Sequence, residues 1–385
     1  MKTSKLTIKL AILFYSLVQI GAICISTILA RIAEVFPQYS ATTIQFLATC
    51  PSIMIVVMSL LSGKVAQYIP KKLLTLLSAS MFVVTALGGF FFHESIIILF
   101  VWEIILGMAI GILATIGSSL ITDHFKGEER SSLMGIQSAV ISVGGVMLSL
   151  LGGLLATIDW YFNYLAFLLV IPGFILLVFG LPWDKPVRSA DHRGIKISVT
   201  PKVVALYGTV AFLFMLFYNV ISTNLSMHLK ENNITGSVNA GVASAVLMLS
   251  GAVAGLLFKL FARFMGERVI AFGFFNLALG ALITGLSSSY WLVLVGVFIA
   301  GFSLSIVMAQ VVISIADKEK PAAVTMSIAM NIAINNLGAF VSPSFTKISK
   351  VVMGNDQVAL RYLLVSILAF AMSAIWFAVF GKKHT

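Results

Sequence analysis

One residue in this chain has the type and the setting for proton chemistry. Glu103 lies in "LFVWEIILGMAIG", inside an apolar run from Ser95 to about Ile121 with no other ionisable side chain. A charged side chain at membrane depth costs ~3 kcal/mol or more. Desolvation penalises the charged form of a carboxyl, so a buried acid can pass between neutral and charged states, as proton coupling requires. Residues three and four apart share a helix face, and from Glu103 that stripe runs Gly107, Gly111, Ala114 and Ser118, all of them small. Small residues let another helix or a solute come close. The opposite stripe, Ile104, Met108, Ile112 and Leu120, is bulky and suits lipid. Glu103 is therefore expected to point inward, and the competing role is a structural pair with Arg31.

The remaining polar groups that could line a passage are neutral. Tyr15 and Gln19 fall mid-span in the first apolar run, Asn219 and Asn224 in the seventh, Gln310 in the tenth, and Asn331 and Asn335 in the eleventh. An amide facing lipid leaves its donors unsatisfied, so these groups face helices or water. Gln19 and Asn219 have the most central depth, whereas Gln45 and Asn276 read as structural. One acid and no base at the centre disfavour a dedicated phosphate or dicarboxylate site, which would want Arg or Lys there. The expected solute is small and neutral, amphipathic or cationic. No catalytic residue, metal site or cofactor is expected: there is no nucleotide-binding loop, and the five His sit at span ends or in loops. Cys24 and Cys50 read as small buried hydrophobes.

These residues need a membrane-spanning scaffold, and the composition supplies one. Hydrophobic residues are 59% of the 385, charged residues 10%, and the mean hydropathy is +1.05. A soluble exterior needs more charge than that. Apolar runs of about 20 residues fall near 10–30, 41–62, 73–92, 95–121, 132–157, 161–181, 203–227, 238–260, 267–287, 290–316, 324–346 and 359–380, twelve in all. Spanning segments of this kind are helices, because lipid satisfies no backbone group. The first run is too long for a secretory signal and is read as retained. With the amino terminus inside, twenty Lys and Arg fall on the cytoplasmic side and five (Arg31, Lys230, Lys347, Lys350, Arg361) on the other. That bias places both termini in the cytoplasm of a multi-pass protein of the cell membrane. The net charge of +11 thus reports orientation rather than a nucleic-acid partner.

The chain also repeats itself. Ile25-Ser26-Thr27-Ile28-Leu29 returns as Ile221-Ser222-Thr223-Asn224-Leu225, and "GKVAQYIPKK" (63–72) falls on "KLFARFMGER" (259–268), both at an offset of 196. At an offset of 194, "ILGMAIG" (105–111) falls on "IAGFSLS" (299–305), Asp123 on Asp317 and Gly144 on Gly338. The halves are residues 1–181 and 202–385, joined by a polar, Pro-containing linker over 182–201. The expected fold is all-α and membrane-integral: twelve transmembrane helices as two pseudo-symmetric six-helix bundles.

Twelve spans arranged six and six, with a basic loop after span two that returns after span eight, resemble the major facilitator superfamily over essentially the whole chain. The family's loop reads roughly Gly-x-Leu-Ala-Asp-Arg-x-Gly-Arg-Arg; here Gly63, Val65, Ala66, Lys71 and Lys72 keep register, while Gln67, Tyr68 and Pro70 depart from it. The second copy keeps Ala262, Arg263, Gly266 and Arg268, and "ITDHFKGEERSSLMG" (121–135) resembles the loop after span four. The resemblance implies alternating access, with Asp123, Arg130, Arg263, Arg268 and Asp317 as cytoplasmic gating residues. Lys71 and Lys72, lacking the family's Asp in their loop, read as plain topology. In the family's proton-linked exporters span four carries Leu-x-x-x-Arg-x-x-x-Gly; Leu99, Glu103 and Gly107 match that spacing with the charge reversed. Span five lacks the antiporters' Gly-Pro pair, having Leu148 and Ser149 there. The expected function is proton-coupled efflux of a small solute by a monomer in the lipid bilayer, with a proton or another cation as the coupled ion. The alternatives are a permease for a neutral metabolite and a non-transporting sensor on the same fold.

Overall fold

Runs this apolar leave the backbone nowhere to hydrogen-bond except within the segment, and every regular element among the described residues is helical. The computed structural model describes residues 5–66, 68–183, 200–234, 236–320, 323–354 and 357–380. The first run is not the continuous helix its hydropathy suggests. It is three pieces, α1 (Lys5–Ser16), α2 (Ala22–Ser26) and α3 (Leu29–Val35). The breaks fall at residues 17–21 and 27–28. Ser26 and Thr27 turn their hydroxyls back onto the carbonyls of Ile23 and Cys24, at 2.6 and 2.7 Å, a local bond that competes with the helical ladder.

There follow α4 (Ala41–Val65), α5 (Lys71–Phe91), α6 (Ile96–His124) and α7 (Gly127–Leu155). The sixth run opens as a 3-10 helix over Trp160–Val170, capped by the Asp159 carboxylate, before α8 (Ile171–Gly180). Eleven residues is long for this tighter winding, which is usually held to three or four. After residue 200 come α9 (Pro201–Glu231), α10 (Ser237–Met265), α11 (Arg268–Leu286), α12 (Tyr290–Lys318), α13 (Val324–Met353) and α14 (Val358–Phe380). Among the described residues ten helices are long and apolar enough to cross a membrane; these do not include the broken first run or α13, which carries Asn331, Asn335, Asn336 and Pro343.

Helices before residue 181 pack mainly on one another, as do those after 200, and the sets join chiefly through α7 with α10 and α4 with α13, with lesser contacts of α2, α3 and α4 to α9. Two glycines show the repeat in three dimensions. A β-carbon on Gly144 in α7 would collide with the Leu17 carbonyl, and one on Gly338 in α13 with the Phe212 carbonyl. The two glycines are 194 residues apart and their two targets 195, so each half closes the same helix pair at the same point. Leucine at either site should lower the melting temperature, consistent with the ~1–3 kcal/mol typical of overpacking. Serine should lower it less, as thermal denaturation in detergent would read. Equal melting of Gly338→Leu and wild type would sink this.

Gly107 and Gly111 on the Glu103 stripe bring α6 against Pro51 and Ile55 of α4. The facing stripe departs from the expectation of a lipid-facing surface. Ile104 is exposed, but Ile112 and Leu120 are buried at 1% and 2% exposure. The reason is that α6 packs on both α4 and α5 and also meets α1, and its exposed large apolar residues, Ile97, Ile98, Val101 and Ile104, lie in its first turns.

Candidate functional site

The ends of the body are named here by the linker: the linker end carries Gly180 and Pro201, and the far end is opposite. Glu103 lies two turns into α6 from the far end and is 0% exposed. Among the described residues neither carboxyl oxygen has a hydrogen-bond partner. The Tyr164 hydroxyl, from the 3-10 segment, lies beside it without reaching hydrogen-bond geometry. Close by, Asn163 donates from Nδ2 to the Cys24 carbonyl at 3.2 Å and to Thr27 Oγ1 at 3.3 Å, tying the 3-10 segment to the broken first run. Cys24 and Cys50 are both buried and free. Arg31 does not pair with Glu103: its guanidinium binds Glu34 at 2.8 Å and is largely exposed.

Nearer the far end a buried polar network ties the two helix sets together. Gln45 in α4 donates from Nε2 to Asn224 Oδ1 in α9 at 2.6 Å and accepts from Thr346 Oγ1 in α13 at 2.6 Å. Asn224 Oδ1 also accepts from Arg361 Nη1 in α14 at 2.5 Å, so Arg361, only 3% exposed, shares this amide oxygen with Gln45. Phe46 and Phe340 meet at a tilt of 52°, 5.6 Å between centroids, on the same two helices, α4 and α13. Asn224 thus serves this junction, and Gln45, read from sequence as structural, is its centre. A single Gln in an apolar run carries no sign of which amide it will meet 179 residues away.

At the linker end, Lys71 on α5 binds Asp123 on α6 at 2.5 Å, and Lys318 on α12 binds Glu267 beside α11 at 2.6 Å. Tyr207 donates to Glu267 at 3.0 Å and itself accepts from Lys318. Lys71 and Glu267 are 196 residues apart, Asp123 and Lys318 195. The two halves therefore make the same tie with the charges exchanged. Asp123 takes its partner from Lys71, which its loop's missing Asp had argued against. Asp317 and Arg263 are exposed, and Lys318 rather than Asp317 carries the contact. Arg268 stacks on the Phe377 ring at 5.7 Å, and the Arg130 side chain lies outside the described residues. Lys72 caps α8 instead, donating to the Val178 and Leu181 carbonyls at 2.7 Å each.

Glu319 had no signal in the sequence. Its carboxylate accepts from Thr200 Oγ1 at 2.7 Å, Thr200 N at 3.0 Å, Lys320 N at 3.0 Å and Ser327 Oγ at 2.9 Å, joining the start of α9 to α12 and α13. These donors, the Thr200 hydroxyl foremost, hold its carboxyl down to about 2. A lowered folded value stabilises the fold above the unfolded carboxyl range near ~4.3 and loses that effect as pH falls toward the folded value. The melting gap between wild type and Glu319→Gln should therefore be constant above about pH 5 and shrink as pH drops toward 2. A gap of the same size at pH 3 and pH 7 would refute this.

The remaining candidate residues are scattered in environment. Tyr15 is fully buried, Gln19 and Asn219 are half-buried, and Asn219 donates to the Met215 carbonyl of its own helix at 2.9 Å. Gln310 donates to Ser314 Oγ at 3.1 Å. Asn335 donates to Met308 Sδ at 3.5 Å. Gln19 Oε1, Asn331 Oδ1 and Asn335 Oδ1 are buried acceptors without a partner among the described residues. Between α7 and α10, below their far-end contact, an opening of about 490 Å³ is walled by Ser138, Ser142, Val146, Leu249, Gly255 and Ser305. Among the described residues no group of His, Cys, Asp or Glu is placed to hold a metal ion.

Comparison with known proteins agrees with this architecture. A family profile described as Major Facilitator Superfamily matches residues 11–343. Protein TsgA of Salmonella newport (strain SL254) is 27% identical over 183 residues, 46% of this chain and 46% of that protein. The match thus spans about half the length of these curated relatives. Among solved structures, the nucleoside transporter NupG (D323A mutant) superposes with a TM-score of 0.78 at 13% identity, covering 98% of this chain and 100% of that one. A bacterial homologue of the human lysosomal transporter Spinster, inward-facing and unoccupied, gives 0.74 at 14%, with 98% and 96% covered. The xylose transporter XylE from E. coli, partially occluded and inward open, gives 0.72 at 14%, with 98% and 99% covered.

Proposed function

Because the chain belongs to the Major Facilitator Superfamily, a multi-pass membrane family with a transporter fold, we propose that it is a proton-coupled secondary transporter working by alternating access. The twelve spans are the ten apolar helices, the broken first run and α13, arranged as two pseudo-symmetric six-helix bundles over 1–181 and 202–385. The repeated glycine contacts and the charge-exchanged ties support that division. In this reading the linker end is cytoplasmic, both termini lie there, and the state is inward-facing: the Gln45 network closes the far end while α7 and α10 part below it.

The observation that carries the reading is Glu103, wholly buried with both carboxyl oxygens unpartnered and Arg31 engaged elsewhere. An unpaired buried carboxylate is expensive, and protonation removes the expense. The proton is the coupled ion, and the protein works as a monomer in the cell membrane. The solute is small and neutral, amphipathic or cationic, and meets amides such as Gln19, Asn331 and Asn335, whose oxygens await a donor. Export in exchange for protons is the first reading; Leu99 and Gly107 keep the exporters' spacing around Glu103, whose charge is the reverse of theirs. A neutral-metabolite permease is the second reading, favoured by the uncharged character of those amides. Purified protein in liposomes, screened against nucleosides, sugars, short peptides and organic cations with and without an imposed pH gradient, tests both. Gradient-driven flux of an amphipathic or cationic compound supports export. Gradient-independent exchange of a neutral one supports the permease, and no flux of any class overturns transport.

A further inference from the structure

A second feature at the far end has no part in proton coupling. Between the two helix sets lies a cavity of about 390 Å³, within the range that holds small organic ligands. Its wall takes Thr27, Arg31 and Glu34 from the first half, and Ser226, Lys230 and the amino end of α10 from the second. Glu34 binds Arg31 at 2.8 Å and Lys230 at 2.8 Å, and these cations, Lys230 foremost, hold its carboxyl below the usual range. Two cations against one carboxylate leave a positive charge unbalanced. The α10 amino end adds to it, since helix amino termini carry partial positive charge and this first turn has no acidic residue.

A separate observation points to an occupant. Ser226 is only 5% exposed, lines this cavity, and its hydroxyl has no hydrogen-bond partner among the described residues. A buried hydroxyl is normally satisfied, and an oxygen-bearing anion in the cavity would satisfy it.

We propose that this cavity binds a small, singly charged carboxylate, held between Arg31 and Lys230 with the Ser226 hydroxyl donating to it. One negative charge balances the cluster; a cation would meet two like charges. Because Arg31 and Lys230 belong to different halves, the bound anion also ties the far end shut. The proposal does not depend on Glu103 or on the identity of a transported solute.

Calorimetric titration of the full chain in detergent micelles with benzoate, and with benzamide as its neutral counterpart, tests it against a micelle-only blank. The expected result is saturable binding of benzoate and none of benzamide. Hydrogen bonds to charged groups set the scale of the variants. Lys230→Gln should weaken binding about tenfold or more and Ser226→Ala roughly threefold. Glu34→Gln should tighten it severalfold, since it releases both cations. Ser226→Ala and Glu34→Gln are near-isosteric, so they remain readable if Lys230→Gln fails to fold. Equal binding of benzamide, unchanged affinity in Ser226→Ala, or a loss in Glu34→Gln would each overturn the proposal.

Discussion

Replacing Glu103 with glutamine is expected to abolish solute accumulation driven by a pH gradient while leaving downhill exchange measurable. Glutamine keeps the size and neutrality of the protonated acid and cannot release a proton. Glu103 is fully buried with no hydrogen-bond partner, so its charged form is the one at odds with the surroundings. A permanently neutral side chain removes that energetic difference between the two halves of the cycle. The loss in gradient-driven accumulation should be tenfold or more, about 1.4 kcal/mol of coupling or greater. Proteoliposomes with an internal pH dye read solute flux and proton flux together. The variant should also melt no lower than wild type, because it removes a buried ionisable group. Native accumulation in Glu103→Gln, with proton flux intact, would end the coupling role.

The second large effect belongs to Gln45. Its amide makes two bonds across the junction, to Asn224 and from Thr346, each at 2.6 Å. A typical intramolecular hydrogen bond contributes ~1 kcal/mol net, so removing two shifts a two-state equilibrium by ~2 kcal/mol, roughly thirtyfold. Gln45→Ala should therefore move the population from far-end-closed toward far-end-open. Spin labels at Gln38 and Lys347, both exposed and on opposite sides of this junction, should report a longer distance by electron–electron double resonance. The same substitution should slow transport, because a cycle that rests at one side returns slowly. An unchanged distance distribution in Gln45→Ala would show that the aromatic contact of Phe46 with Phe340 closes the end unaided.

Much of the scaffold is legible in the residues themselves. The offset that aligns Gly144 with Gly338 comes from letters alone, and both prove to close the same helix pair. Burial of Glu103 follows equally from its isolation and its small-residue stripe. What escapes is whatever depends on partners distant in the chain. Hydropathy cannot tell a continuous helix from α1, α2 and α3, because the break is made by hydroxyls and by Asn163, over a hundred residues on. The family pattern puts the acid for Lys71 within its own loop, whereas Asp123 lies one helix away. In the second half the alignment pointed to Asp317, and its neighbour Lys318 carries the tie because the helix turns that residue toward Glu267. Gln45 looked like any interhelical amide, and only the meeting of four helices gives it a distinct task.

The 3-10 stretch over Trp160–Val170 has a mechanical consequence. It rises ~2.0 Å per residue where an α-helix rises ~1.5 Å, so its eleven residues reach about 5 Å further than they would in α form. Letting it recoil would shorten this strut and swivel Tyr164 away from Glu103, since each residue would then advance ~100° instead of ~120°. It would also tug Asn163 against the hinge of the first run. A change of winding in this one strut would thus be felt at two places at once, beside the acid and at the break in the first run.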